Sequence, residues 1–128
     1  MEGAMQGLLK RLLMLQMRKR RRFRAPRGIC VVMGGQAVPG QNQLYDISMG
    51  GLSFFFVDNG LPVAHHHKTL TISQNGRPAA AQIPCEIVDD LDTGELIFPK
   101  QQVKRRCVKF QRLNPQQRDK IRALIKSM

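Results

Sequence analysis

The sequence predicts a mainly β fold, a small antiparallel barrel or sandwich forming one domain, with a helix at its C-terminal end. Three observations carry this. Short β-branched and apolar runs recur from Gly28 to Gln111, each punctuated by Gly, Pro or Asn, as in antiparallel sheets. The stretch from Asn114 onward combines helix-start signals with one apolar face. The length of 128 residues suits one core with room for a short extra arm.

The elements follow in chain order. Residues 1–17 read as a short helix, because Met5, Leu8, Leu9, Leu12 and Leu13 share one face at i, i+3, i+4, i+7 and i+8 spacing. A helix this short is marginal alone, so it is expected to dock on the domain, on a second subunit or on a neighbouring domain. A basic arm, 18–27, ends at Ala25-Pro26, and Pro26 pushes its predecessor into an extended conformation. The barrel is expected at about 28–111. Its strands are "ICVVM", "QLYDI", "LSFFFV", the alternating "KTLTISQ", "AQIPCEIVDDL", "GELIF" and "VKRRCVKFQ", with Pro84 marking an edge or a bulge. The three rings of Phe54 to Phe56 alternate across their strand, two facing the core and one covered by a helix. The closing helix is placed at about 114–127. Asn114 is the cap, Pro115 the first helical residue and Gln117 the capping-box partner, and Ile121, Leu124, Ile125 and Met128 form the docking face.

Composition excludes several classes. No run approaches the roughly 18–20 apolar residues of a membrane-spanning helix, and Glu2, Lys10 and Arg11 spoil a secretory leader. Cys30, Cys85 and Cys107 are odd in number and widely spaced, which fits reduced thiols and a cytoplasmic setting better than disulfides or a CxxC metal site. The run "HHHK" at His65 to Lys68 lacks a completing carboxylate or thiol and reads as a solvent loop. "VDDLDTGE" lacks the spacing and sixth-position glycine of a calcium loop. No metal and no cofactor are expected. No catalytic constellation is present either, since no GxSxG or defined Cys–His pair occurs and Asp46 with Ser48 has no base-orienting partner.

Charge is the informative feature. The net charge is +12, and seven of the ten residues from Arg18 to Arg27, "RKRRRFRAPR", are Lys or Arg. That is a third of the 21 basic residues of the chain, and such an excess favours an anionic partner. Alone, the run reads as a solvated tail or a generic nucleic-acid arm. A second segment, "LYDISMGG" from Leu44 to Gly51, changes the reading. Arg20 and Arg24 offer planar, permanently charged forks that match phosphate oxygens or the O6/N7 edge of guanine. Asp46 can accept from N1–H and the N2 amino group on guanine's other edge, and Ser48 can donate or accept. Gly50 and Gly51 permit unusual dihedrals and close approach to a flat base. Together these describe a guanine nucleotide site.

Here the sequence resembles a family. "RRRFR" from Arg20 to Arg24 followed by Ala-Pro, then "DISMGG" from Asp46, look like the RxxxR and D/NxSxxG signatures of PilZ domains. The following strands and "RCVKFQRLNPQQRDKIRALI" resemble that family's last strand and closing helix, so the likeness covers roughly Arg18 to Met128. It implies a six-stranded antiparallel split barrel and a non-enzymatic bacterial receptor for cyclic di-GMP. Control of motility, surface attachment, polysaccharide export or virulence follows as the setting. By the same resemblance, Arg20 and Arg24 grip phosphate and guanine edges, Asp46 and Ser48 read one guanine, and Gly51 gives it room. Arg21 and Gly50 are additional contacts. Lys19 stands at the position that bears on whether one ligand or an intercalated pair is bound, and its charge favours the pair. Arg18 and Arg22 have the same spacing, but the Phe23-Ala25-Pro26 context favours Arg20 and Arg24. A downstream protein or neighbouring domain would read the bound state, with homodimerisation through residues 1–17 as an option and no DNA expected. The rival readings are a basic nucleic-acid-binding module and an interaction adaptor with a degenerate pocket.

Overall fold

Alternating burial shows how the sequence builds the sheet. In Ile29–Met33, Ile29, Val31 and Met33 are buried while Cys30 and Val32 are half-buried, so one side of the strand faces the core. In Thr69–Gln74, Leu70 and Ile72 do the same between polar Thr69, Thr71 and Ser73. The computed structural model describes residues 21–34, 42–58, 69–97 and 101–128. The expected helix at 1–17, Lys19, Arg20 and the loop from His65 to Lys68 lie outside the described residues.

The strands are β1 (Phe23–Arg24), β2 (Ile29–Met33), β3 (Leu44–Ile47), β4 (Gly51–Asp58), β5 (Thr69–Gln74), β6 (Arg77–Ile97) and β7 (Gln101–Phe110), followed by helix α1 (Pro115–Ser127). They form one antiparallel sheet in the order β1-β3-β4-β7-β6-β5-β2. The sheet curls round the core. Its β2 edge returns to the residues leading into β3, where Cys30 bridges to Gln43 and Val31 N–H donates to the Asn42 carbonyl at 2.8 Å. Among the described residues there are thus six longer strands and the two-residue β1, which belongs to the basic arm.

"AQIPCEIVDDL" and the described part of "GELIF", Gly94 to Ile97, read from sequence as separate strands, are parts of the single strand β6. Its first part pairs with β5 and its second with β7, and the change of partner falls at Pro84, which lies opposite Thr69 on one side. Proline has no N–H to give to a ladder, so it is tolerated where pairing passes from one neighbour to another. Register shifts between Ile87 and Asp89 and between Asp92 and Leu96 bend the strand further, with Gly94 at φ +79° in the second. The β5–β6 connection is Asn75-Gly76, at φ 52° and 80°, the two-residue left-handed turn that Asn-Gly favours.

Leu44, Ile47, Leu52, Phe54, Leu70, Ile72, Ile83 and Val108 fill the interior, and Ile121 and Leu124 of α1 join the same cluster. Each large aliphatic buried this way is worth about 1.5–3 kcal/mol relative to exposure. The helix starts with a full capping box: Asn114 Oδ1 accepts from Gln117 N–H at 2.8 Å, and Gln117 Oε1 accepts from Asn114 N–H at 2.9 Å. Ile125 and Met128 are partly buried against the core. No helix among the described residues is long and apolar enough to cross a membrane.

Candidate functional site

The site is set by an irregularity in β3. Leu44 and Ile47 are both buried, which strict alternation forbids for residues three apart, and the register with β4 shifts between Leu44 and Asp46. This bulge turns the two intervening side chains, Tyr45 and Asp46, to the outer side together. On β4, Leu52 and Phe54 face inward, so Ser53 and Phe55 share that outer side. The antiparallel register adds Arg105 and Cys107 of β7, opposite Phe55 and Ser53 respectively.

The basic arm arrives at the same place. β1 pairs with β3 with Phe23 opposite Ile47 and Arg24 opposite Asp46, and Ala25 N–H donates to the Tyr45 carbonyl at 2.9 Å. The Arg24 guanidinium lies over the Tyr45 ring at 3.9 Å from its centroid, and that of Arg105 lies over the same ring at 4.7 Å. Phe55 meets Tyr45 edge-on, with centroids 5.2 Å apart. The outward ring of the Phe54–Phe56 run packs on Tyr45; of the two helices expected to cover it, Leu8–Leu13 lies outside the described residues and Ile121–Met128 packs on the core. Phe54 is in the core and Phe56 is packed against it. Arg24, Ala25, Arg27, Gln43, Leu44, Tyr45 and Phe55 line an open cleft of ≈ 570 Å³, a size suited to a small ligand.

Asp46 is already engaged. Its Oδ1 accepts from Arg22 Nη1 at 2.7 Å and from Ser53 Oγ at 2.6 Å. Arg22 belongs to the register that the sequence context disfavoured, and Arg20 of the favoured pair lies outside the described residues. Arg21 stands over the Phe23 ring at 5.1 Å.

Ser48 is fully buried and sits inside the bend. Its Oγ accepts from Gly50 N–H at 3.1 Å and reaches the Gly51 carbonyl at 3.3 Å, while Ser48 N–H donates to that carbonyl at 2.8 Å. Gly50 N–H is held by the hydroxyl, and the Gly50 carbonyl accepts from Phe110 N–H at 2.9 Å. Among the described residues the left-handed glycines are Gly28, Gly34, Gly76 and Gly94, so hydrogen bonding rather than positive φ shapes the bend at Gly50 and Gly51.

Beneath the arginines lies Cys107, only 3% exposed. Burial pushes its thiol up, opposed by the nearby Arg105 and Arg22 charges. Sequence reasoning missed Tyr45, Ser53 and Arg105 as members of this cluster. Tyr45 borders the motif in sequence, but Arg105 is brought in by sheet register alone. Among the described residues, no group of three or more His, Cys, Asp or Glu is placed to hold a metal ion. The ion pair of Arg106 with Asp90, at 2.8 and 3.0 Å, belongs to the inner side near Phe56 and is structural.

What the outer side can do chemically is hold an anion with a flat aromatic part: guanidinium donors, a ring platform and one carboxylate acceptor converge there. A comparison with solved structures matches the PilZ domain with c-di-GMP of YcgR from Escherichia coli, at TM-score 0.60 and 13% identity, covering 85% of this chain and 88% of that one. A comparison with curated proteins gave no match. The PilZ domain family profile matches residues 16–127, and on that match the chain belongs to the PilZ domain family.

Proposed function

We propose that this protein is a non-enzymatic receptor for cyclic di-GMP, bound between the basic arm and the outer side of β3 and β4. The observation that carries the reading is the pairing of β1 with β3, which sets Arg24 directly opposite Asp46. The pairing supports a reading in which the two segments contact one ligand with complementary chemistry. The family membership and the ligand named for the YcgR domain support the same ligand class.

In this reading Arg24, with its plane supported on Tyr45, stacks on a base and bonds phosphate oxygens, and Arg20 supplies the second fork. Asp46 accepts from N1–H and N2 of one guanine, and Gly50 and Gly51 leave space for it. Ser48 acts by holding the bend. Arg21 adds a phosphate contact, and Lys19 balances the charge of a second, intercalated ligand. The anionic ligand offsets repulsion within the arm and draws it against the sheet, and a downstream protein or neighbouring domain reads the changed surface. Residues 1–17 provide docking or dimerisation.

The test is calorimetric titration with cyclic di-GMP, alongside thermal shifts with GTP, cyclic GMP and short DNA. Saturable binding of cyclic di-GMP with shallow salt dependence is expected, with two ligands per chain. Steep, sequence-independent salt dependence on DNA without dinucleotide binding would replace the reading with a nucleic-acid module. Binding of neither would leave an interaction adaptor.

A further inference from the structure

The geometry points to Arg22 as an affinity-setting residue that occupies the guanine-reading carboxylate in the unliganded protein and must be exchanged for the ligand. The inference rests on the guanine-receptor reading above. A guanidinium and the N1–H/N2 edge of guanine are chemically alike, since each presents adjacent N–H donors on a planar frame, and each suits a carboxylate. Arg22 Nη1 holds Asp46 Oδ1 at 2.7 Å, with both side chains largely buried at 21% and 14% exposure. The same oxygen takes Ser53 Oγ at 2.6 Å, so Ser53 fixes the carboxylate's orientation whichever partner occupies it.

The incumbent is held imperfectly. Arg22 Nε is buried and has no hydrogen-bond acceptor among the described residues, so the contact is one-armed where a guanidinium can be two-armed. A buried donor left unpaired is a standing cost, recovered when Arg22 swings out and its donors reach water or phosphate. Guanine brings two donors to the two carboxylate oxygens and so outcompetes a single donor. The exchange sets affinity through the difference between the two pairings. A ligand-receptive Asp46 is thus only a fraction of the unliganded population, and the apparent affinity falls by that fraction.

This leads to opposite effects for two arginines in one short run. Arg22→Ala should bind cyclic di-GMP more tightly, by roughly three- to tenfold, the scale of a partly buried charged contact. Arg24→Ala should bind more weakly. A generic loss of positive charge would weaken both. The experiment is calorimetry of wild type, Arg22→Ala and Arg24→Ala with cyclic di-GMP at fixed salt, with melting temperatures recorded for each. Tighter binding by Arg22→Ala with weaker binding by Arg24→Ala supports the exchange. If both weaken, or if Arg22→Ala is unchanged, the exchange is wrong while the receptor reading stands. If wild type does not bind at all, the receptor reading falls and the exchange with it. Nitrogen-detected NMR of the Arg22 side chain in wild type gives a second measurement that needs no variant. Its guanidinium protons should be protected from water exchange without ligand and lose protection on titration, and the same slow exchange in both states would overturn the proposal.

Discussion

Ser48→Ala separates a residue that touches the ligand from one that shapes the loop. The wild-type hydroxyl is fully buried and makes one good contact, from Gly50 N–H at 3.1 Å, and one longer contact to the Gly51 carbonyl at 3.3 Å. That carbonyl keeps its bond from Ser48 N–H at 2.8 Å in the variant, so little is lost there. Gly50 N–H is different, because the hydroxyl that accepts from it is gone. One net hydrogen bond is worth about 1 kcal/mol, and a partly buried donor left unmade adds up to about another 1 kcal/mol. The variant should therefore be less stable by about 1–2 kcal/mol. At roughly 3–5 °C per kcal/mol for a chain of this size, the melting temperature should fall by roughly 3–10 °C. The assay is paired: urea or thermal unfolding for stability, and calorimetry with cyclic di-GMP for affinity. Affinity should drop along with stability, since the bend positions both Asp46 and Gly51. An unchanged melting temperature with affinity lost by an order of magnitude would refute this reasoning and make Ser48 a direct contact.

Three further outcomes follow from the structure. Arg24→Ala should raise the dissociation constant for cyclic di-GMP about 10- to 150-fold, the cost of a charge-assisted contact, and Arg24→Lys should recover only part of it because the fork is gone; titration at constant salt checks both. The Cys85 thiol is pushed up to about 11 by burial, from the ordinary 9.0, so between those pH values the unfolded chain has lost a proton that the folded chain keeps. Its contribution to stability is fully present below pH 9.0 and lost as pH rises through about 11, and denaturant midpoints measured across that range should show a fall that Cys85→Ala lessens. Asn114→Ala removes the acceptor of the capping box and should cost about 1 kcal/mol by equilibrium unfolding, with ligand affinity unchanged.

The parts of the fold that were legible in sequence are those governed by local chemistry. Asn114, Pro115 and Gln117 announce a helix start because each meets a need of the first turn, and the spacing of Ile121 and Leu124 fixes which face docks. The extent of β6 was not legible for the opposite reason. Pro84 and Gly94 look like terminators, yet a strand that exchanges β5 for β7 midway can place a proline where no ladder bond is required and a glycine in a bulge. Asn75-Gly76 was the available signal for the β5–β6 hairpin. At the site, Asp46 and Arg24 stood out by motif. Arg105 had no local mark, because only the register of β7 against β4 brings it beside Tyr45.

The irregular step in β3 is what shapes the proposed ligand site on this side of the sheet. With regular alternation over Leu44–Ile47, burying Leu44 would expose Tyr45 and Ile47 and turn Asp46 toward the core. Burying Ile47 would expose Leu44 and Asp46 and send Tyr45 inward. The first arrangement places a carboxylate in an apolar interior, where an unpaired charge costs many kcal/mol or is lost by protonation. The second removes the ring that supports Arg24 and Arg105. The extra residue avoids both outcomes: it keeps two aliphatic side chains in the core and puts ring and carboxylate side by side outside. The arm then has a surface to pair with, since the Tyr45 carbonyl accepts from Ala25 N–H and the Asp46 carboxylate accepts from Arg22. A one-residue deletion that restored alternation in β3 would leave every arginine of the arm in the chain, yet remove the shared outer position of ring and acid on which the binding reading depends.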